Sequence, residues 1–234
     1  MSEALYLKDC SIMEFDAKVI AVEGNKVELD RTAFYPRSGG VANDTGYLLA
    51  DDKKYDIIDV YKQDGHIYHV LAELGLKQGD LVHGVINWER RKILVRMHTA
   101  AHLLSAIFYN KIGAKITGNQ IDVDKSRIDF SLESFDRSLI EAMVEEANKM
   151  IEKGAEVKIY FMRKDEALKI PGLVKLAEAQ PPDLDVLRIV EISGIDVQAD
   201  GGCHVSNIKE IGRIVLLKLE NKGKTNRRIY YRVE

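Results

Sequence analysis

The chain has 234 residues, 46% of them hydrophobic and 30% charged, a composition that excludes a disordered or fibrous protein and leaves room for two compact domains. The formal charge of −3 is uneven, −6 over residues 1–86 and +3 over residues 87–234. That balance excludes a general nucleic-acid coat and places any polyphosphate contact on the second half.

Up to Asn87 short apolar stretches alternate with turn residues. Lys18–Val22, the turn Glu23-Gly24-Asn25 and Lys26–Leu29 form one such unit, and Gly39-Gly40, Gly46, Asp51-Asp52, Asp64-Gly65 and Gly79 punctuate the rest. The spacing predicts a small barrel or meander of short strands. At Asn87 the texture changes. Asn87 is a good N-cap, Glu89 complements the positive helix start, and Trp88–Tyr109 contains no Gly or Pro, so one long helix is expected, ended by Asn110–Gly113. Lys115–Ser131 follows as strand and turn. Phe135, Leu139, Ile140, Met143, Val144, Ala147, Met150 and Ile151 recur at helical spacing before Gly154. Val157, Ile159 and Phe161 alternate as a strand, a segment containing Pro171 and Pro181-Pro182 reads as a loop, and Val186–Ile192 and Ile211–Leu219 read as further strands. The expected architecture is an N-terminal β-barrel domain, 1–86, followed by an α+β domain, 87–234, built around the long helix.

No apolar run approaches the ~18 residues of a membrane span, and no basic start followed by an apolar block marks a secretory leader. A cytoplasmic protein with no membrane and no DNA partner is expected. The two cysteines, Cys10 and Cys203, are read as reduced thiols.

His98 and His102 sit four apart in the long helix, so both imidazoles project from the same side. On a helical wheel Leu94, Met97, Leu104, Ile107 and Phe108 mark the buried arc, with the histidines on its flank beside Ala101 and Ser105. Such a pair alone is better explained by half-buried histidines bonded to backbone carbonyls. The weight comes from Asp200-Gly201-Gly202-Cys203-His204, a glycine turn bearing further N, O and S donors of the kind zinc takes.

Met97-His98-Thr99-Ala100-Ala101-His102-Leu103-Leu104 together with Gln198-Ala199-Asp200-Gly201-Gly202-Cys203-His204-Val205 resembles the editing domain of alanyl-tRNA synthetases and the free-standing AlaX-type trans-editing proteins. Phe34-Tyr35-Pro36-Arg37-Ser38-Gly39-Gly40 with Asp44-Thr45-Gly46 is similar to the glycine-rich segment of that family's barrel domain. Lys115-Ile116-Thr117-Gly118 and Arg127-Ile128-Asp129-Phe130 are similar to further blocks in the same order. The resemblance implies an α+β editing domain and a zinc-dependent hydrolase that deacylates alanine tRNA mischarged with serine; glycine, small enough to enter a pocket that bonds the serine hydroxyl, is expected as a secondary substrate. It implies His98, His102 and His204 as ligands, Thr117 and Gly118 beside the aminoacyl moiety, and Gly39 and Gly40 bordering it.

One departure matters. The family loop reads Cys-Gly-Gly-Thr-His, whereas Asp200 stands here at the cysteine position and Cys203 at the threonine position. Asp200 keeps the ligand spacing and is favoured; Cys203 is the softer competing donor; a third arrangement leaves three histidines with water. Lys222, Lys224, Arg227 and Arg228 lie in a basic tail that reads either as a solvated hairpin edge or as a tRNA phosphate track. Direct hydrolysis with no side-chain nucleophile is expected, zinc either activating water or positioning substrate. The alternatives are a non-catalytic, zinc-stabilised tRNA-binding module and an editing enzyme for mischarged threonine tRNA.

Overall fold

A computed structural model of the chain describes residues 2–134, 136–173 and 184–234; the expectations that fall on Phe135 and Pro181-Pro182 lie outside the described residues. The chain forms two compact units, Met1–Leu94 and Val95–Glu234.

The first unit is a closed antiparallel barrel. Its strands are β1 (Glu14–Glu23), β2 (Lys26–Leu29), β3 (Gly46–Ala50), β4 (Lys53–Gln63), β5 (His66–Leu71) and β6 (Leu81–Ile86), hydrogen-bonded in the order β1-β2-β5-β4-β3-β6 with β6 closing onto β1. Alternation dictates the inside: Phe15, Ala17 and Val19 of β1 are buried while the residues between them are exposed. The strands are not uniformly short as expected. β1 has 10 residues and β4 has 11, and each is bent by a register shift, at Val19/Ala21 and at Ile57/Asp59, which lets one long strand curve around the closed wall. The glycine-rich segment is tied down by a buried ion pair. Arg91 Nε donates to Asp44 Oδ1 at 2.9 Å, its Nη atoms donate to the carbonyls of Cys10 and Ala33, and Tyr35 N–H donates to Asp44 Oδ2 at 2.6 Å. Both charges thus have the partners that burial demands.

In the second unit the helix α1 (Trp88–Ile112), whose first turns belong to the barrel unit, supplies the core. A four-stranded antiparallel sheet contains β7 (Ile116–Gln120) and β8 (Ser126–Ser131), followed after the helix α2 (Arg137–Lys153) by strands that complete two sheets. β9 (Val157–Arg163), β10 (Val186–Ile192) and β11 (Asp196–Ala199) form one sheet in that order; β12 (Ile214–Asn221) and β13 (Asn226–Val233) complete the other as β12-β13-β8-β7. Phe108 of α1 stacks on Phe130 of β8 at 4.4 Å between ring centroids, and the buried Tyr231 hydroxyl donates to the Met97 carbonyl at 2.8 Å. Asp136 caps α2, and Asn148 brackets the Ile214 backbone with one bond to its N–H and one to its carbonyl. The strand expected at Ile211–Leu219 begins only at Ile214, because Ile208–Ile211 forms a 3₁₀ turn held by a capping box between Asn207 and Glu210.

Candidate metal centre

The histidine-bearing part of α1 does not have one buried arc and one open flank. Leu94, Met97, Ala100, Ala101, Leu103, Leu104, Ala106, Ile107 and Phe108 are all buried, and so are His98 and His102, each 7% exposed. The imidazoles therefore sit inside the unit. The loop that meets them is aimed by β11, whose Ala199 pairs with Ile189 of β10. One step further Asp200 N–H donates to the Arg188 carbonyl at 3.1 Å, and Arg188 Nη1 donates to the Asp200 carbonyl at 2.8 Å.

This arrangement brings one ligand-capable atom each of His98, His102, Asp200 and His204 within 4.8 Å of one another. Cys203 is buried too, but it falls outside this group. The rings of His98 and His204 stack at 4.3 Å, and His102 meets them edge-on at 5.0 and 4.6 Å. Asp200 Oδ2 accepts the Gly202 N–H at 2.6 Å and lies 3.0 Å from His204 Nε2; Asp200 Oδ1 lies 3.8 Å from His98 Nε2. Gly202 permits this closeness, since a Cβ there would stand 2.3 Å from His98 Cε1 and 2.6 Å from Nδ1.

The electrostatics favour His98, His204 and Asp200 in their ligating states. Burial pushes His98 down to about 4, only partly offset by Asp200, and burial with the neighbouring histidines holds His204 well below its ordinary value. For Asp200 burial pushes the carboxyl up, but His98, His204 and His102 together outweigh it and hold it well below the usual range. Neutral imidazoles beside an ionised carboxylate are the protonation states a metal requires. The Nδ1 atoms of His98 and His102 are buried without a hydrogen-bond partner, although Asp196 Oδ2 stands 3.4 Å from the latter. Orphaned imidazole nitrogens, a carboxylate and a glycine-shaped cradle fit a cation, and the group could hold a metal ion.

The other expected site residues are not part of this group. Thr117 is exposed on β7, its hydroxyl donating to Asn226 Oδ1 at 2.7 Å, and Gly118 leaves room for Asp129, whose Oδ2 would be 3.3 Å from a Cβ there. Gly39 and Gly40 form an exposed turn in the barrel unit with φ of 58° and 83°, closed by reciprocal Ser38 and Val41 backbone bonds, so both occupy the left-handed region that glycine tolerates best. In the tail, Arg227 is buried and spends its guanidinium on the carbonyls of Gly223, Lys224, Asn226 and Glu133, while Arg228 makes a two-point pair with Asp129 at 2.7 and 2.8 Å. Lys224 is exposed, as is Lys222, which lies 3.0 Å from Glu220. The sequence offers no sign of Thr99, Asp196 and Arg188 as neighbours of the donors: Thr99 and Asp196 reach them across about a hundred residues, and Arg188 meets Asp200 only through the pairing of two strands.

Residues 187–230 match the family model described as threonyl and alanyl tRNA synthetase second additional domain, and residues 3–90 match that described as tRNA synthetases class II (A). A protein named alanyl-tRNA editing protein AlaX-M from Saccharolobus solfataricus is 49% identical over 237 residues, covering 100% of both chains. Its namesake from Methanosarcina acetivorans is 45% identical over 241 residues, covering 99% of this chain and 98% of the relative. An alanine-tRNA ligase of Methanococcus vannielii is 37% identical over 223 residues, 94% of this chain but 24% of the ligase. Full-length similarity at this level places the chain in the family of AlaX-M alanyl-tRNA editing proteins.

Proposed function

We propose that this chain is a zinc-dependent trans-editing hydrolase that removes serine, and secondarily glycine, from mischarged alanine tRNA. The observation that carries the proposal is the convergence of three buried imidazoles and one carboxylate in a chain of the AlaX-M family. In this proposal a β-barrel domain spans 1–86 and an α+β editing domain spans 87–234. His98, His102, Asp200 and His204 hold the metal, and Asp200 rather than Cys203 supplies its fourth donor. Zinc at these donors would either activate water and polarise the ester carbonyl or position the substrate for attack by a separate water. The protein's own contribution is to keep the His98 and His204 imidazoles neutral by burial, to fix the Asp200 carboxylate against the Gly202 N–H, and to close the loop on His98. Hydrolysis is direct, without a covalent acyl-enzyme. The Thr117 hydroxyl and Gly118 backbone recognise the serine side chain, Gly39 and Gly40 border the aminoacyl end, and Lys222, Lys224, Arg227 and Arg228 belong to the tRNA-binding tail.

Deacylation time courses with serylated and glycylated alanine tRNA, correctly charged alanyl-tRNA and serylated threonine tRNA, run alongside zinc determination, test this function. Selective hydrolysis of the serylated alanine tRNA is expected, and loss of it on zinc removal. A four-donor group with all three histidines buried favours one second reading, a structural metal in a tRNA-binding module. Bound zinc with no hydrolysis of any of these substrates would support that reading instead.

A further inference from the structure

We infer that Thr99 is a positioning residue that fixes the hydrogen of His204 on Nδ1 and thereby reserves Nε2 as the metal donor. The inference rests on the metal reading above but uses a separate observation, the hydrogen-bond inventory of one buried hydroxyl. Thr99 is fully buried on α1 between the two helix histidines. A threonine hydroxyl has one proton to give and lone pairs to receive. Its Oγ1 lies 2.8 Å from the Val95 carbonyl oxygen, which can only accept, so the proton is committed there. Val205 N–H donates to the same Oγ1 at 3.2 Å. The remaining contact, 3.1 Å to His204 Nδ1, is therefore a hydrogen bond only if Nδ1 is the donor.

The consequence follows from imidazole chemistry. With Nδ1 protonated, the nitrogen left to a metal is Nε2, and Nε2 is the atom 3.0 Å from Asp200 Oδ2. A neutral ring has one proton for two acceptors, the Thr99 hydroxyl at Nδ1 and the Asp200 carboxylate at Nε2, and a cation on these donors removes the need for the second. A single side chain thus ties the helix that carries two donors to the loop that carries the other two, through the Val205 N–H and the His204 ring together.

The test uses the full chain in three forms: wild type, Thr99→Val, which keeps the shape, and Thr99→Ser, which keeps the hydroxyl. Nitrogen-15 NMR of the histidine rings in metal-free protein reads the tautomer directly, and chelator competition reads zinc affinity. Wild type and Thr99→Ser are expected to show His204 protonated on Nδ1. Thr99→Val is expected to lose that signature and to bind zinc about 10–100-fold more weakly, with Thr99→Ser near wild type. A wild-type His204 bare at Nδ1, or a folded Thr99→Val with unchanged affinity, overturns the inference. If Thr99→Val does not fold, the wild-type and Thr99→Ser spectra still decide it. A wild type that binds no zinc refutes the metal reading alone, since the metal-free tautomer is measured independently of it.

Discussion

Gly202→Ala isolates the shape of the metal cradle from its chemistry. Gly202 lies outside the left-handed region, so alanine meets no backbone penalty there, and the whole effect is steric. The new Cβ would stand 2.3 Å from His98 Cε1, 2.6 Å from Nδ1 and 3.0 Å from Asp200 Oδ2. Carbon contacts settle near about 3.5–4.0 Å, so something must give by more than about 1 Å. His98 has little room to retreat, being stacked on His204 at 4.3 Å and edge-on to His102 at 5.0 Å. Overpacking a tight site costs about 1–3 kcal/mol. If that strain is relieved by moving His98 or the loop out of the donor arrangement, zinc affinity falls by about 5–150-fold. Chelator competition measures the affinity, and the thermal midpoint of metal-free protein measures how much strain stays in the fold. Wild-type zinc affinity in Gly202→Ala would refute the reasoning, because the donors would then have no need of the close approach.

Four further outcomes concern the loop donors, the other candidate residues and the barrel. Asp200→Ala should weaken zinc binding more than Cys203→Ala, since Asp200 alone of the two belongs to the converging group; affinities in the opposite order would make the thiolate the ligand. Thr117→Val should relax discrimination between seryl- and alanyl-tRNA by about 1–3 kcal/mol without abolishing hydrolysis, and an unchanged ratio of the two deacylation rates would remove Thr117 from the pocket. Neutralising Lys222 and Lys224 should lower the log–log salt slope of tRNA binding by about 0.7–0.9 for each phosphate they engage, whereas Arg227→Ala should chiefly lower the unfolding midpoint, because its guanidinium is spent on carbonyls. His69 is buried in the barrel with burial pulling it down to about 4, so its neutral form stabilises the fold fully above its unfolded value near 6.5 and that stability is lost as pH falls toward 4. The loss should reach about 2 kcal/mol at pH 5 in urea unfolding, and a His69→Gln variant with the same pH slope as wild type would contradict it.

Local signals explain what the sequence makes legible. The hairpin at Glu23-Gly24-Asn25 can be read because alternation and a turn glycine coincide, and the pairing of Val22 with Val27 lies within it. Alternation also names which residues share a face without saying how far that face is covered. Val157 is buried, Ile159 is intermediate and Phe161 is 56% exposed, although all three stand on one side of β9. The helical wheel of α1 misleads for a related reason. Ala100, Ala101, Thr99 and Ser105 are small or polar and leave no apolar signal, yet all are buried, because burial of a helix on every side is decided by what packs against it.

The site divides along the same line. The spacing of His98 and His102 on one helix and of Asp200 and His204 in one loop is a property of short segments, so it can be read directly, while the place of Asp200 where the family loop carries cysteine is read from the resemblance. What makes those four side chains a usable donor set is not local. The Thr99 hydroxyl reaches His204 across a sequence separation of 105, and a Cβ at Gly202 would come within 2.3 Å of a side-chain atom only because His98 lies beneath it. These two features also make different demands on the loop. Gly202 must stay small so that His98 can approach, whereas Thr99 must stay a hydroxyl so that His204 turns Nε2 inward; Gly202→Ala combined with Thr99→Val should therefore cost less than the product of the separate losses. Once the loop has withdrawn from His98, the Thr99 contact it carries is already weakened, and neighbouring residues that share one moving segment do not add. A double variant whose zinc affinity equals the full product would show that the loop and the ring orientation are independent.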